Sequence, residues 1–364
     1  MSRSVRNSFA ARPTIIAVIG GINMDLMMTV LRAPDTGESM DARSLVHLPG
    51  GKGSNTAVAA HRASRPNPAS VAANNTNSNL ISSPTSGQRV TRSTTNDGSH
   101  LDIKICMNGA VGKDSYGDQL KAKLTDSGIN IAGVHTINGV SSNLCVVLVE
   151  EDTGDSRNVG YPAANLHWAL PPSGSLATLG DGTVPDLIVT SLVVPRTEVE
   201  RVLEIAGKEN IDTLLNPSSP EYLVSKVYRH LTHLVMNESE TAMLFARPLE
   251  ELTGLAAYKE AGAHFVDMGV QNVVITLGAK GAFYMTKKGE SGLVDAEKGV
   301  KVVDTTGAGD TFVGTYSVEY VKQKRLGKWD IRRAVVRACS AAARTIESVG
   351  AQESIPWADE IEKT

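Results

Sequence analysis

Apolar residues fall along the chain in two rhythms. Short, unbroken apolar runs at Ile15 to Ile19, Ile103 to Met107, Leu187 to Thr190, Thr213 to Leu215, His233 to Met236 and Val273 to Thr276 predict strands. Between them, Ser115 to Ser127, Arg196 to Lys208 and Leu252 to Met268 carry apolar residues at helical spacing. Regular alternation of the two predicts an α/β fold whose mainly parallel sheet is covered by helices. Two stretches, 26–48 and 143–160, break the pattern: they read as extended, with runs such as Cys145-Val146-Val147-Leu148-Val149. Residues 64–100 differ in kind, being rich in Ser, Asn, Thr and Pro, and predict an insertion that builds no core. Residues 1–13, with Arg3, Arg6, Arg12 and no acidic residue, read as a short disordered extension rather than a targeting peptide.

Composition narrows the function class. A chain of 364 residues, 41% hydrophobic and 21% charged, can bury a full core, and a net charge of -3 gives no footprint for nucleic acid or anionic membrane. No apolar run approaches the roughly 18 residues of a spanning helix. Cys106, Cys145 and Cys339 lie singly in apolar surroundings and read as reduced core residues, and His230-x-x-His233 lacks a nearby third ligand for a metal.

Chemistry concentrates in the run Val303-Asp304-Thr305-Thr306-Gly307-Ala308-Gly309-Asp310-Thr311-Phe312, a glycine-rich turn leading into a helix. Gly307 and Gly309 let the backbone approach a ligand, so the amides of Gly307, Ala308, Gly309 and Asp310 can converge on an oxyanion. A carboxylate beside such a cradle suits a general base collecting a hydroxyl proton in phosphoryl transfer. Taken alone, Asp310 reads equally well as a helix cap. Upstream, Gly50-Gly51-Lys52-Gly53-Ser54-Asn55 is not a Walker A loop, because Gly53 follows Lys52, and a polyol suits its amide and ammonium donors. Asn23-Met24-Asp25 follows the first strand, at the sheet end where open α/β folds bind ligands.

Together with Gly112-Lys113-Asp114, Ala164-Asn165, Asn216-Pro217, Asn237-Glu238-Ser239-Glu240, Thr276-Leu277-Gly278-Ala279-Lys280-Gly281 and Gly350-Ala351-Gln352, these motifs resemble the ribokinase branch of the PfkB carbohydrate kinase family over most of the chain. The resemblance implies a three-layer α/β/α sandwich with a small β-sheet lid, formed by 26–48 and 143–160, that keeps water from the base. It implies an ATP-dependent sugar kinase acting on the 5-hydroxyl of D-ribose. A nucleoside, fructose or keto-deoxy-sugar kinase is the alternative within the family, and a non-catalytic sugar or nucleotide sensor is the alternative outside it.

By the same resemblance, Asn23, Asp25, Gly51, Lys52, Gly53 and Asn55 hold the sugar and Asp310 is the base. Thr276, Leu277, Gly278, Ala279, Lys280 and Gly281, with Asn237, Gly309 and Asp310, hold ATP. Gly307, Ala308 and Gly309 form the anion hole. Asn237 and Glu240 organise Mg2+ through water, although Asn-x-x-Glu alone reads as a helix capping box. K+ falls to Asp304, Thr306, Thr345, Ser348, Gly350 and Ser354. A homodimer, working in the cytoplasm with the nucleus a second compartment, completes what the resemblance implies. One departure stands out: Val193 occupies the position where this branch carries a sugar-contacting Glu.

Overall fold

The computed structural model of the chain describes residues 12–72, 101–152, 156–218 and 221–362. Two sheets account for its strands. The larger runs β13-β12-β11-β10-β9-β8-β1-β4-β5, with β1 Thr14–Ile19, β4 Ile103–Gly112, β5 Asn130–Ile137, β8 Leu187–Thr190, β9 Asp212–Leu215, β10 His233–Asn237, β11 Asn272–Thr276, β12 Ala282–Thr286 and β13 Ser291–Val294. All its pairings are parallel except β11 with β12 and β12 with β13. The six strands expected from apolar runs are all present, within one residue at their ends except that β4 runs on to Gly112. The helices expected at 115–127, 196–208 and 252–268 form as Ser115–Asp126, Arg196–Glu209 and Gly254–Asp267.

Strand periodicity divides the core. Ile16 and Val18 of β1 face one apolar layer, whereas Ala17 and Ile19 face the other, as alternation of side chains across a pleated strand requires. Helices Lys52–Ala63, Ala308–Arg325 and Ile331–Thr345 cover the first face, and Arg196–Glu209 with Gly254–Asp267 cover the second. The three-layer expectation holds. Within the first layer the Lys52–Ala63 and Ala308–Arg325 helices touch backbone to backbone, because a Cβ at Gly314 would lie 2.7 Å from Ala60 N and 2.8 Å from Thr56 O. That closeness fixes the distance between the two helix starts.

The second sheet, ordered β3-β2-β6-β7, combines β2 Asn23–Val30, β3 Ser44–Gly50, β6 Asn143–Glu150 and β7 Ser156–Tyr161. It is the small separate sheet expected from 26–48 and 143–160. Of the expected insertion, residues 64–72 are described and include helical residues 68–72, while 73–100 lie outside the described residues. Arg65 donates to the carbonyl of Ile103 at 2.7 Å, and the Asn67 amide donates to Asp359 at 2.7 Å, so the first residues of that stretch are tied to the body. The expected extension at 1–13 lies outside the described residues but for Arg12 and Pro13, and Arg12 forms a two-pronged ion pair with Asp186.

Candidate active site

Carboxyl ends of the parallel strands deliver the polar residues. Asn216 follows β9, Asn237 ends β10 and Thr276 ends β11, all on one rim of the sheet, where open α/β folds place their ligands. Across this rim the Lys52–Ala63 and Ala308–Arg325 helices present their first turns.

Gly307 caps the second helix with φ of 81°, and a Cβ there would lie 2.7 Å from Ala351 O, so both conformation and space require glycine. The Ala308 amide leans back to Thr305 O at 3.4 Å, leaving the first-turn amides of Gly309 and Asp310 without helical acceptors by position. A Cβ at Gly309 would meet open space. Asp310 itself is 8% exposed, and its Oδ2 accepts from Asn55 Nδ2 at 2.9 Å. Burial pushes this carboxyl up to about 6, further raised by the charges of Glu240 and Asp25 and opposed by Asn55 and Lys52. A carboxylate poised near neutrality at a helix N-terminus is equipped to take a proton.

A cavity of about 160 Å3 opens on Asp310 and is walled by Lys52, Asn216, Asn237, Glu240, Thr276, Gly307 and Gly309. A larger one of about 430 Å3 shares Thr276 and Gly309 with it and continues past Gly278, Ala279 and Gly281 to Phe312 and Ile346. The pair forms a polar chamber leading into an apolar trough, the shape that a phosphate chain with a flat ring system fills.

Asp25 lies close enough to Asp310 for its charge to raise that carboxyl. A side chain at Gly50 would run into the Asp25 carboxylate, which burial raises to about 6. Asn23 Oδ1 accepts from Asn165 Nδ2 at 3.0 Å. Asn165 is in turn clamped by Asn143, through 2.6 Å and 2.8 Å bonds, and Asn143 also donates to Ile22 O and Ala110 O. A buried amide net thus locks the start of the small sheet to the large one.

Residues 98–358 match the family described as pfkB family carbohydrate kinase. The chain belongs to that family. It is similar to the ribokinase of Schizosaccharomyces pombe, 32% identical over 348 residues that make up 94% of each chain. The deoxyribokinase of Salmonella typhi is 29% identical over 342 residues, 94% of this chain and 95% of that one. Among solved structures the ribokinase of Thermotoga maritima superimposes with a TM-score of 0.72 at 25% identity, covering 96% of this chain and 98% of the other.

In this pfkB-family chain the turn after β11 supplies the trough unevenly. Thr276, Gly278, Ala279 and Gly281 line it, but Leu277 is packed in the core and Lys280 is turned to Glu238 at 3.2 Å. Those two side chains are therefore not part of the trough wall, Leu277 being drawn into the core and Lys280 to Glu238. Asn237 and Glu240 form the reciprocal capping box, with Glu240 N donating to Asn237 Oδ1 at 2.7 Å and Asn237 N to Glu240 Oε2 at 3.0 Å. The box does not withdraw them from the chamber, whose wall both enter, and burial raises the Glu240 carboxyl.

Asp304 joins two loops, accepting from Thr306 N at 2.9 Å and from Gly350 N at 2.9 Å. Burial alone would raise its carboxyl; these bonds hold it below its ordinary value. Ser354 Oγ donates to Gly350 O at 2.5 Å. Thr345 turns its hydroxyl inward to Ala341 O and Thr311 Oγ1, and the Ser348 side chain is exposed. The six residues expected around a cation thus gather at the 304–306 and 345–354 loops, but not all by their side chains.

Lys52 Nζ reaches Ser218 O at 2.7 Å across the chamber. Val193 stands near the Asn23 and Asn165 side chains: a Cβ at Gly21 would be 3.0 Å from Val193 Cγ2, 3.0 Å from Asn165 Nδ2 and 3.5 Å from Asn23 Oδ1. An apolar wall therefore stands beside the Asn23 and Asn165 amides. Sequence reading assigned no role to Asn165, Asn143, Asn216 or Gln352, although three of the motifs quoted for the resemblance contain Asn165, Asn216 and Gln352.

Proposed function

We propose that the chain is an ATP-dependent sugar kinase that transfers the γ-phosphoryl group to the 5-hydroxyl of D-ribose. The observation that carries this reading is Asp310, buried and raised, at the mouth between a polar chamber and the trough reached through Thr276 and Gly309. Sugar held by Asn23, Asp25 and Asn55 next to the chamber, whose wall supplies Lys52 and Asp310, turns its primary hydroxyl toward Asp310. Asp310 takes the proton as the hydroxyl oxygen bonds to phosphorus and the bond from phosphorus to the bridging oxygen of ADP breaks. The amides of Gly309 and Asp310 hold the transferred group in line.

Asn237 and Glu240 fit a magnesium ion that keeps its water shell, since a half-buried carboxylate and an amide side chain line the chamber and are already joined to each other's backbone. When bound, that ion neutralises phosphate charge. Asp304, with the carbonyl oxygens of Thr306, Thr345, Ser348 and Gly350 and the Ser354 hydroxyl, is an all-oxygen donor set that fits potassium. The small sheet supports a homodimer: its outer strands β3 and β7 leave Leu45, Val46, Val159 and Tyr161 exposed, and a second copy would cover them. Among the described residues no helix is long and apolar enough to cross a membrane, and we place the enzyme in the cytoplasm.

The Val193 wall makes 2-deoxyribose the natural competitor. ADP release measured with ribose, 2-deoxyribose, hexoses and nucleosides tests the reading: the highest kcat/KM is expected for ribose, and release that no sugar stimulates would refute kinase activity.

A further inference from the structure

Gln352 sits outside every contact invoked so far, yet it is 2% exposed and points at the site. Its Nε2 donates to Asn55 Oδ1 at 3.1 Å and lies 3.4 Å from Ser54 Oγ, while Asn55 Nδ2 donates to Asp310 Oδ2 at 2.9 Å. Three side chains from three distant segments therefore form one directed chain ending on the base. Its direction matters. An amide can present either its N–H or its oxygen, and the two ends are nearly isosteric. Asn55 turned over would set its oxygen against the Asp310 carboxylate, two acceptors face to face.

What prevents that is the donor held against Asn55 Oδ1. Gln352 is itself fixed, since its carbonyl accepts from Arg62 Nη1 at 2.8 Å and the preceding residues are tied down, Ala351 under Gly307 and Gly350 to Asp304. Its Oε1 is buried with no hydrogen-bond partner. A protein rarely leaves a buried amide oxygen unmatched, so the Nε2 end is placed at that cost. We infer that Gln352 is a positioning residue for phosphoryl transfer, orienting the Asn55 amide so that its N–H holds the Asp310 carboxylate toward the sugar hydroxyl. The inference rests on the kinase reading of the site. It makes the 350–352 loop a single clamp, in which consecutive residues fix Asp304, the Gly307 turn and, through Asn55, the base.

A double-mutant cycle tests it. Gln352→Met keeps length and removes the donor, so kcat is expected to fall about 10- to 10²-fold, the effect of a small misplacement of a reacting group, while KM for ATP stays within about twofold. Asn55→Ala removes the relay. In that background Gln352→Met should cost less than about twofold more, because the two act through one contact. Gln352→Glu keeps a polar chain of equal length, presents only acceptors when ionised and should lower kcat at least as far, which preserves the test if the Met variant fails to fold. Additive losses in the cycle, or wild-type kcat in a folded Gln352 variant, would overturn the role while sugar-stimulated turnover of the wild type stands. Absence of that turnover in the wild type overturns the kinase reading and this role with it.

Discussion

The Asp304 carboxylate accepts the Gly350 amide at 2.9 Å, closing two loops 46 residues apart into one rim beside the anion cradle. Because Thr306, Gly307 and Ala351 belong to the same rim, whatever sits against Asp304 is mechanically joined to the turn that presents Gly309 and Asp310. A cation held at Asp304, as proposed, would therefore act on the cradle without touching it.

Exchange of potassium for sodium at constant ionic strength is accordingly expected to lower kcat or raise KM for ATP. Asp304→Asn, which keeps one acceptor oxygen but removes the negative charge, should blunt the difference between the two salts. Equal rates in both salts for the wild type would remove the cation from the mechanism.

The pH dependence has a definite sign. Asp310 and Asp25 are both raised to about 6 by burial, and both must be ionised, one to take a proton and one to accept from sugar hydroxyls. Acid therefore removes activity: log kcat/KM should fall below about pH 6 with a limiting slope between one and two, and level off above it. A profile flat down to pH 4.5 would show that neither group titrates where burial places it.

How much of this was readable in advance depends on the range of the interactions. The strands were legible because β-branched runs buried on both faces have no other use, and Asp310 could be singled out because the glycine turn and the carboxylate are adjacent in the chain. The antiparallel edge was not read, although Gly281 before β12 and Lys287-Lys288-Gly289 before β13 are turn signals. Asn143 carries no local signal, and Asn165 and Gln352 appear only as members of motifs, without a role. Asn165 reaches Asn23 across 142 positions and Gln352 reaches Asn55 across 297, so only the folded chain gives their amides a meaning.

Val193→Glu addresses the apolar wall. A carboxylate beside Asn165 and Asn23 would add an acceptor for a sugar hydroxyl, contributing roughly 1.5–3 kcal/mol if geometry is right. KM for ribose should fall about tenfold or more while KM for 2-deoxyribose changes less. An unchanged or higher KM for ribose would mean that the wall does not face the ring.

Deleting residues 73–100 and bridging the gap with a short Gly/Ser segment should leave melting temperature and kcat close to wild type, since that composition buries little and loop length costs slowly. Residues 64–72 are to be kept, because Arg65 and Asn67 bond to the body. Insoluble or inactive protein after the deletion would assign the segment a structural task.

Asp310→Asn separates a base from a structural residue. The helix is capped by Gly307 and not, as the sequence allowed, by Asp310, whose side chain instead accepts from Asn55. Asn retains an acceptor for that amide, so a purely structural role predicts near-silence. A base predicts a fall in kcat of about 10²–10⁴-fold with nucleotide binding intact. Stability supplies an independent sign. A carboxyl raised from 3.8 to about 6 opposes folding once it ionises, so its cost is absent below about pH 4 and complete above about pH 7. The Asn variant escapes that cost and should melt higher than the wild type at pH 8, by an amount on the order of 1–3 kcal/mol, with the gain vanishing near pH 4. Loss of turnover joined to a gain in stability is the signature of a group kept for chemistry at the expense of the fold; wild-type kcat in the Asn variant would sink the catalytic assignment.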